Sequence, residues 1–180
     1  MTHDEFSRLL RTATSEVKED YFSLKIYEQE PVYRERVYCY ELYHQMRLRW
    51  PSNSPFFLNG EVDKMNHQKL EDAGLAGLKP DFLVHTPGDW NNNRIVMEVK
   101  SATVQAKGLS GDIHSLNEFM TKGNYRRALL LLFGTPALSP RRLANLRKRA
   151  GKNGITSTIE IWQHSHPGSA ATLALTLNPA

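Results

Sequence analysis

Cysteine is nearly absent from this sequence, since Cys39 is the single thiol among 180 residues. One thiol excludes an intramolecular disulfide framework, which is the pattern of small secreted domains. Long hydrophobic runs are missing too, and none approaches the roughly 18 residues that span a bilayer. The N-terminal segment opens with acidic residues and lacks a signal-peptide pattern. We therefore expect a cytoplasmic protein with no membrane partner.

Familiar nucleotide and zinc motifs are also lacking. The glycine-containing segment at 108–112 is not followed by Gly-Lys-Ser/Thr, so it is not a P-loop. His164 and His166 have no cysteine or acidic partner at zinc-ligand spacing, and we expect both to be exposed to solvent. Cys39 lies in a predicted helix, where a small buried side chain is a better interpretation than a thiol nucleophile.

Acidic residues are absent between Glu118 and Glu160, although basic residues are frequent there. A region of one charge sign attracts a polyanion and suits contacts with phosphates. The alternative is a solvated helix face that keeps the protein soluble. The residues predicted to contact nucleic acid are Arg126, Arg127, Arg141, Arg142, Arg147, Lys148, Arg149 and Lys152.

Length and composition are those of one globular domain. Apolar residues make up 40% and charged residues 23% of the chain, and 180 residues are enough for one well-buried core. We interpret 1–180 as a single domain with three parts. These are an N-terminal helical extension over 1–30, a core over 32–134, and a basic helix and last strand over 139–180.

Hydrophobic periodicity predicts a mixed α/β protein. Apolar residues at helical spacing predict helices over 3–25 and from Pro31 to Pro51, and a polar helix is expected over 63–74. The continuous apolar run "RALLLLFG" is typical of a central strand that is buried on both faces. The remaining predictions are strands at 56–62, 81–85, 94–101 and 157–164, a helix at 112–121, and a basic helix at 141–151 that begins after Ser139 and Pro140. This order favours a mixed sheet with helices packed on both faces, and a last strand at the sheet edge.

Charged residues occupy the two strands that should form a hairpin in the core. Asp81 opens the first strand, and Glu98 and Lys100 lie within the second. Side chains alternate between faces along a strand, so Glu98 and Lys100 point the same way. The hairpin would bring Asp81 beside Glu98, and two adjacent carboxylates repel each other unless a divalent cation lies between them. Together with Lys100 they form a coherent site for phosphodiester hydrolysis.

The segments "PD" at 80–81 and "EVK" at 98–100 resemble the signature of the PD-(D/E)XK, or restriction-endonuclease-like, nuclease superfamily. The resemblance implies an αβββαβ core and a Mg²⁺- or Mn²⁺-dependent nuclease. It also implies that Asp81 and Glu98 ligate the metal, that Val99 adds only its backbone carbonyl, and that Lys100 serves the attacking water.

Many members of that superfamily carry a further acid on the helix before the first strand. We expect Glu41 to take this catalytic role and a possible metal-ligand role, because the helical wheel groups it with Val37, His44 and Leu48 on a stripe that is otherwise largely core-facing. Glu35 lies about 120° away on the same wheel and is therefore set aside. Glu61 is a weaker alternative, and Asn117 or Gln105 are candidates for a polar orienting role.

Three functional alternatives stay open. The first is a nuclease acting on DNA rather than RNA, in a defence, restriction or repair and recombination context, with a homodimer or a larger assembly as the working form. The second is a catalytically silent nuclease-like module that binds nucleic acid or a partner subunit. The third is a subunit that cuts only within a larger assembly. An ordinary hairpin with a cross-strand ion pair between Lys100 and an acid is the structural alternative to all three.

Overall fold

The chain folds into helices and strands, which alternate singly from residue 89 to residue 164. The structure, a computed structural model, describes residues 1–61, 71–75 and 77–179. The helices in these ranges are α1 (His3–Ser15), α2 (Glu19–Phe22), α3 (Glu35–Leu48), α4 (Ala106–Lys122) and α5 (Pro140–Lys152). The strands are β1 (Leu24–Ile26), β2 (Gln29–Val32), β3 (Phe57–Gly60), β4 (Phe82–Thr86), β5 (Asp89–Ser101), β6 (Arg127–Phe133), β7 (Ile159–His164) and β8 (Thr172–Leu177).

The larger sheet is mixed and has six strands in the order β3-β4-β5-β6-β7-β8. Strands β3, β4 and β5 are antiparallel neighbours, β5, β6 and β7 are parallel, and β8 returns antiparallel to β7. The segment from α3 to β6 follows the order αβββαβ, which confirms the predicted fold class. The predicted hairpin is β4 and β5, with Phe82 opposite Met97.

Two hydrophobic cores lie on opposite faces of this sheet. All seven residues of β6 are buried, as predicted for a central strand, because alternate side chains enter different cores. Leu129 and Leu131 pack with Phe6 of α1 and Leu42 of α3. The intervening residues of β6 pack with the apolar faces of α4 and α5. Helices therefore cover both faces of the sheet, as the sequence indicates.

The N-terminal helix is shorter than the helix predicted over 3–25. Helix α1 ends at Ser15, where the Thr14 hydroxyl accepts a hydrogen bond from the Ala171 N–H at 2.8 Å. The segment that follows forms α2 and then β1, which pairs with β2 through Leu24 and Val32. This pairing uses residue 31, so α3 begins at Glu35 rather than at Pro31. The pairing of β1 with β2 and the contact between Thr14 and Ala171 thus override the local helical periodicity.

The predicted last strand is not at the edge of the sheet. Strand β7 lies between β6 and β8, and the edge position belongs to β8. The C-terminal segment forms this extra strand because Leu175 and Leu177 alternate with more exposed residues and bury their side chains. The helix predicted over 63–74 falls largely on residues outside the described ranges.

His164 is fully buried, which contradicts the expectation that it is exposed, whereas His166 is exposed as predicted. The ring of His164 lies among aromatic side chains, and its Nδ1 is 2.7 Å from the Tyr38 hydroxyl. Burial lowers the pKa of His164 to about 4. The histidine is inside because Phe22 of α2 and Tyr38 of α3 pack against its ring. Among the described helices, none is long and apolar enough to cross a membrane.

Arg127 is a structural residue, which contradicts its prediction as a nucleic-acid contact. Its side chain is 5% exposed, and its guanidinium donates to both carboxylate oxygens of Glu160, at 2.9 and 2.7 Å. It also donates to the His3 carbonyl and to the Ser7 hydroxyl, at 2.6 and 2.8 Å. Such bidentate, charge-assisted bonds are geometrically specific. Arg127 therefore ties α1 to the start of β6 and β7.

Replacing this arginine should destabilise the fold. We expect Arg127→Ala to lower the free energy of unfolding by about 3–5 kcal/mol, because it removes a buried guanidinium and takes the arginine partner from the Glu160 carboxylate, which is 19% exposed. The neighbouring Arg126→Ala is the matched control, since Arg126 is exposed and its removal should change stability by no more than about 0.5 kcal/mol. Urea unfolding measures both variants. Equal stabilities would contradict a structural role for Arg127.

Candidate active site

The charged residues of the hairpin meet near the C-terminal end of β5. Met97 and Val99 of β5 enter the core under α1 and α3, so Glu98 and Lys100 point to the other face of the strand. Asp81 lies one residue before β4, and its Oδ2 accepts a hydrogen bond from the Val99 N–H at 2.7 Å. The hairpin therefore brings Asp81 alongside Glu98 and Lys100, as the sequence predicts.

Asp81 and Glu98 form a carboxyl pair joined by a hydrogen bond. Burial raises the pKa of Glu98 to about 9, and the Asp81 charge adds to the rise while Lys100 opposes it. Burial also raises the pKa of Asp81, against the effect of the Val99 N–H and of Lys100. At neutral pH Glu98 therefore holds a proton and donates a hydrogen bond to the Asp81 carboxylate. The pair keeps one negative charge because two adjacent buried carboxylates cannot both ionise.

Lys100 lies between two further carboxylates that come from opposite faces of the sheet. Its Nζ is 3.3 Å from Glu35 Oε2, at the first residue of α3, and 3.9 Å from Asp112 Oδ1 on α4. Glu35 Oε1 also accepts from the Ser101 N–H at 3.3 Å. Burial alone lowers the pKa of Lys100, but the surrounding carboxylates, led by Asp112 and Glu35, raise it above its usual value. Lys100 is therefore an ammonium ion at neutral pH, held in place from two sides.

Asp112 is the least expected member of this cluster. Burial raises its pKa to about 6, although Lys100 opposes the rise. Its Oδ2 is buried, and no hydrogen-bond partner for it lies within the described residues. Asp112 can be found on the helical wheel, because it lies beside the buried stripe of Leu109, Ile113 and Leu116. The helix predicted over 112–121 puts Asp112 at a helix end, whereas α4 begins at Ala106 and Asp112 lies within it. The prediction therefore did not place Asp112 on the wheel with Leu109.

Glu35, rather than Glu41, is the helix acid that reaches the site. The stripe that includes Glu41 is not core-facing, because His44 is exposed and Leu48 is 66% exposed. The buried side of α3 instead carries Tyr38, Cys39, Leu42 and Met46. The Glu41 carboxylate accepts a hydrogen bond from Gln45 on the same helix, at 2.6 Å. The prediction was wrong because the helical wheel was phased on the wrong apolar residues.

The other polar candidates have structural partners. Glu61 pairs with Arg36 at 3.3 Å, while its backbone N–H donates to the Asp81 carbonyl at 3.2 Å. Asn117 accepts hydrogen bonds from the backbone N–H groups of Thr156 and Ser157, at 2.9 and 3.1 Å. Cys39 is buried, and burial together with Asp81 raises the pKa of its thiol well above the usual value. A thiolate nucleophile is therefore excluded at this position.

The carboxyl pair fits the predicted metal in its donor chemistry. Within residues 1–61, 71–75 and 77–179, no group of three or more His, Cys, Asp or Glu side chains is arranged to hold a metal ion. A site here would therefore use the two carboxylates of Asp81 and Glu98. Mg²⁺ accepts one or two carboxylates and completes its shell with water and substrate oxygens. A cation bound by the two carboxylates would remove the repulsion that the proton on Glu98 removes in its absence.

Comparisons with known proteins give little beyond this geometry. No protein-family model matches the sequence, and no curated protein matches it. One solved structure that resembles the chain is SfsA of Pyrococcus furiosus in complex with Ca²⁺, with a TM-score of 0.36 and 13% sequence identity. The match covers 82% of this chain and 66% of SfsA, so the chain spans just under two-thirds of that protein. A likeness this distant carries no argument about the site.

The buried carboxyl of Glu98 should make stability depend on pH in the absence of metal. Its folded-state pKa lies above its unfolded value, so folding takes up a proton between about pH 4.5 and pH 9, and the contribution to stability falls as pH rises through that window. Glu98→Gln, which mimics the protonated acid, should lose this dependence. We expect its stability relative to wild type to rise by up to about 1.4 kcal/mol per pH unit.

Urea unfolding in EDTA across about pH 5–8 measures this difference. Glu61→Gln is the control, because it neutralises an exposed glutamate that directly follows β3 and leaves the carboxyl pair intact. A wild-type curve parallel to that of Glu98→Gln would contradict the shared proton.

Proposed function

We propose that the protein is a Mg²⁺- or Mn²⁺-dependent nuclease of the PD-(D/E)XK type that hydrolyses phosphodiester bonds of DNA. The observation that carries this proposal is the carboxyl pair of Asp81 and Glu98 beside Lys100, whose Nζ lies between the carboxylates of Glu35 and Asp112. A protein that only binds phosphates has no use for carboxylates that face them. Two further acids, Glu35 and Asp112, flank Lys100 and the carboxyl pair, so the cluster carries excess negative charge that a divalent cation would balance.

Each side chain then has a separate task. Asp81 and Glu98 would hold the metal, with Val99 contributing its carbonyl, and a bound divalent ion lowers the pKa of its water and polarises a phosphoryl oxygen. Lys100 is an ammonium ion, so it donates hydrogen bonds rather than removing a proton. It orients the attacking water and offsets the charge that develops on the phosphate. Glu35 and Asp112 fix the position of its Nζ.

Cleavage assays test the proposal directly. Wild-type protein should cut plasmid, linear duplex or single-stranded DNA with Mg²⁺ or Mn²⁺ and not with EDTA. Asp81→Asn and Lys100→Met should each reduce the rate by at least about 10²-fold, because each removes a charge from the reacting centre. Folding of the variants is checked by thermal unfolding. A well-folded wild type that binds DNA but cleaves no substrate with either metal would favour the silent module or the assembly-dependent subunit.

Two glutamates on α3, Glu35 and Glu41, provide a test variant and a matched control for the positioning of Lys100. Glu35→Gln should lower the cleavage rate by about 10–100-fold, because Lys100 loses one of the carboxylates that hold it. Glu41→Gln changes the same charge on the same helix, but Glu41 contacts Gln45 instead, so its rate should stay within about twofold of wild type. Single-turnover rates measure both. A larger loss in Glu41→Gln than in Glu35→Gln would show that Glu41, and not Glu35, is the helix acid that serves the site.

A further inference from the structure

The eight basic residues predicted to contact nucleic acid separate into distinct groups in the folded protein. Arg127 is buried against Glu160. Arg142 donates to the carbonyls of Ala102 and Val104, and Arg149 donates to the Ser110 hydroxyl at 3.4 Å. These three arginines hold structural elements together, so the predicted nucleic-acid surface must consist of fewer residues than the sequence suggests.

One line of exposed cations is left along α5. A helix turns about 100° per residue, so Arg141, Lys148 and Lys152 lie within about 40° of one another, and all three are exposed. We call these three residues the basic stripe. Within the described residues, no hydrogen bond or ion pair involves their side chains. At about 1.5 Å per residue the basic stripe is roughly 16 Å long.

The basic stripe begins beside the candidate active site. Arg142, next to its first member, reaches the carbonyls of Ala102 and Val104 in the loop directly after β5. Ser101, the last residue of β5, donates its N–H to Glu35, which also binds Lys100. The first turn of α5 is therefore anchored to the loop that leaves the active-site strand. From there the basic stripe runs away along the α5 face that is opposite the buried Leu146 and Ala150.

We propose that the basic stripe binds the phosphate backbone of duplex DNA next to the bond that is cut. This inference rests on the proposed nuclease function and names its substrate form. Helix α5 carries no aromatic side chain, so it offers no stacking platform of the kind that single-strand binders use. Lysine and arginine without base-reading partners bind phosphates independently of sequence. Residues 119–159 contain no acidic side chain, so no carboxylate on α5 or on its neighbouring segments weakens the attraction of the basic stripe for a polyanion.

Fluorescence anisotropy with a labelled duplex in EDTA measures binding without cleavage. The triple variant Arg141→Gln/Lys148→Gln/Lys152→Gln should bind at least about tenfold more weakly than wild type at 0.1 M salt. The slope of log K against log salt should become shallower by about 2–3, since each lost phosphate contact removes about 0.9. Lys148→Gln alone should reduce the slope by about 1.

Arg147→Gln is the matched control, because Arg147 is the exposed neighbour of Lys148 on the same helix and points about 100° away. It removes the same charge and should leave the slope within about 0.3 of wild type. An equal loss of duplex affinity in Arg147→Gln and Lys148→Gln would overturn the proposal, because it would show that binding depends on the total charge of the helix and not on the basic stripe.

The remaining outcomes separate this inference from the nuclease proposal. Two results would overturn the proposal that the basic stripe binds duplex DNA. One is unchanged duplex binding by the folded triple variant, and the other is tighter wild-type binding to a single strand than to a duplex. In either case, metal-dependent cleavage that is lost in Lys100→Met would leave the nuclease proposal standing. Weaker binding by the triple variant combined with normal binding by Arg147→Gln supports phosphate binding by the basic stripe, whether or not cleavage is observed.

Discussion

The burial of Glu98 beside Asp81 is the constraint on which the rest of the site depends. A carboxylate in a core strand is costly unless it is neutralised or paired. Here the protein pairs the two acids through a proton and places the ammonium of Lys100 nearby. This arrangement is stable enough to fold, yet it holds oxygen ligands that a hard cation can use. The same electrostatic strain therefore explains both the raised pKa of Glu98 and the proposed chemistry.

The fold brings carboxylates from both faces of the sheet to the C-terminal end of β5. Glu35 comes from α3, which covers one hydrophobic core, and Asp112 comes from α4, which covers the other. Lys100 bridges them, so its Nζ is positioned by elements that are far apart in sequence. A lysine held in this way loses little further freedom when it meets a substrate, which is the general advantage of a preorganised site.

The basic residues show how the same residue type takes different roles in one fold. Arg127 anchors α1 to the sheet, and Arg142 anchors α5 to the loop after β5. Arginine suits these tasks because its planar guanidinium donates several hydrogen bonds in fixed directions. The basic stripe lies outside these anchors and faces solvent. Net charge alone does not distinguish such groups, because their difference lies in burial and partners.

The sequence by itself determined the mixed α/β class, the buried strand β6, the β4-β5 hairpin and the meeting of Asp81, Glu98 and Lys100. These features follow from local patterns, since the side-chain period of two and the turn residues fix which charges share a strand face. Only the tertiary structure decided that Glu35 rather than Glu41 reaches the site, that Asp112 joins it, and that His164 is buried. Those outcomes depend on how separate elements pack, and a wheel or a spacing fixes the direction of a side chain only relative to its own helix or strand.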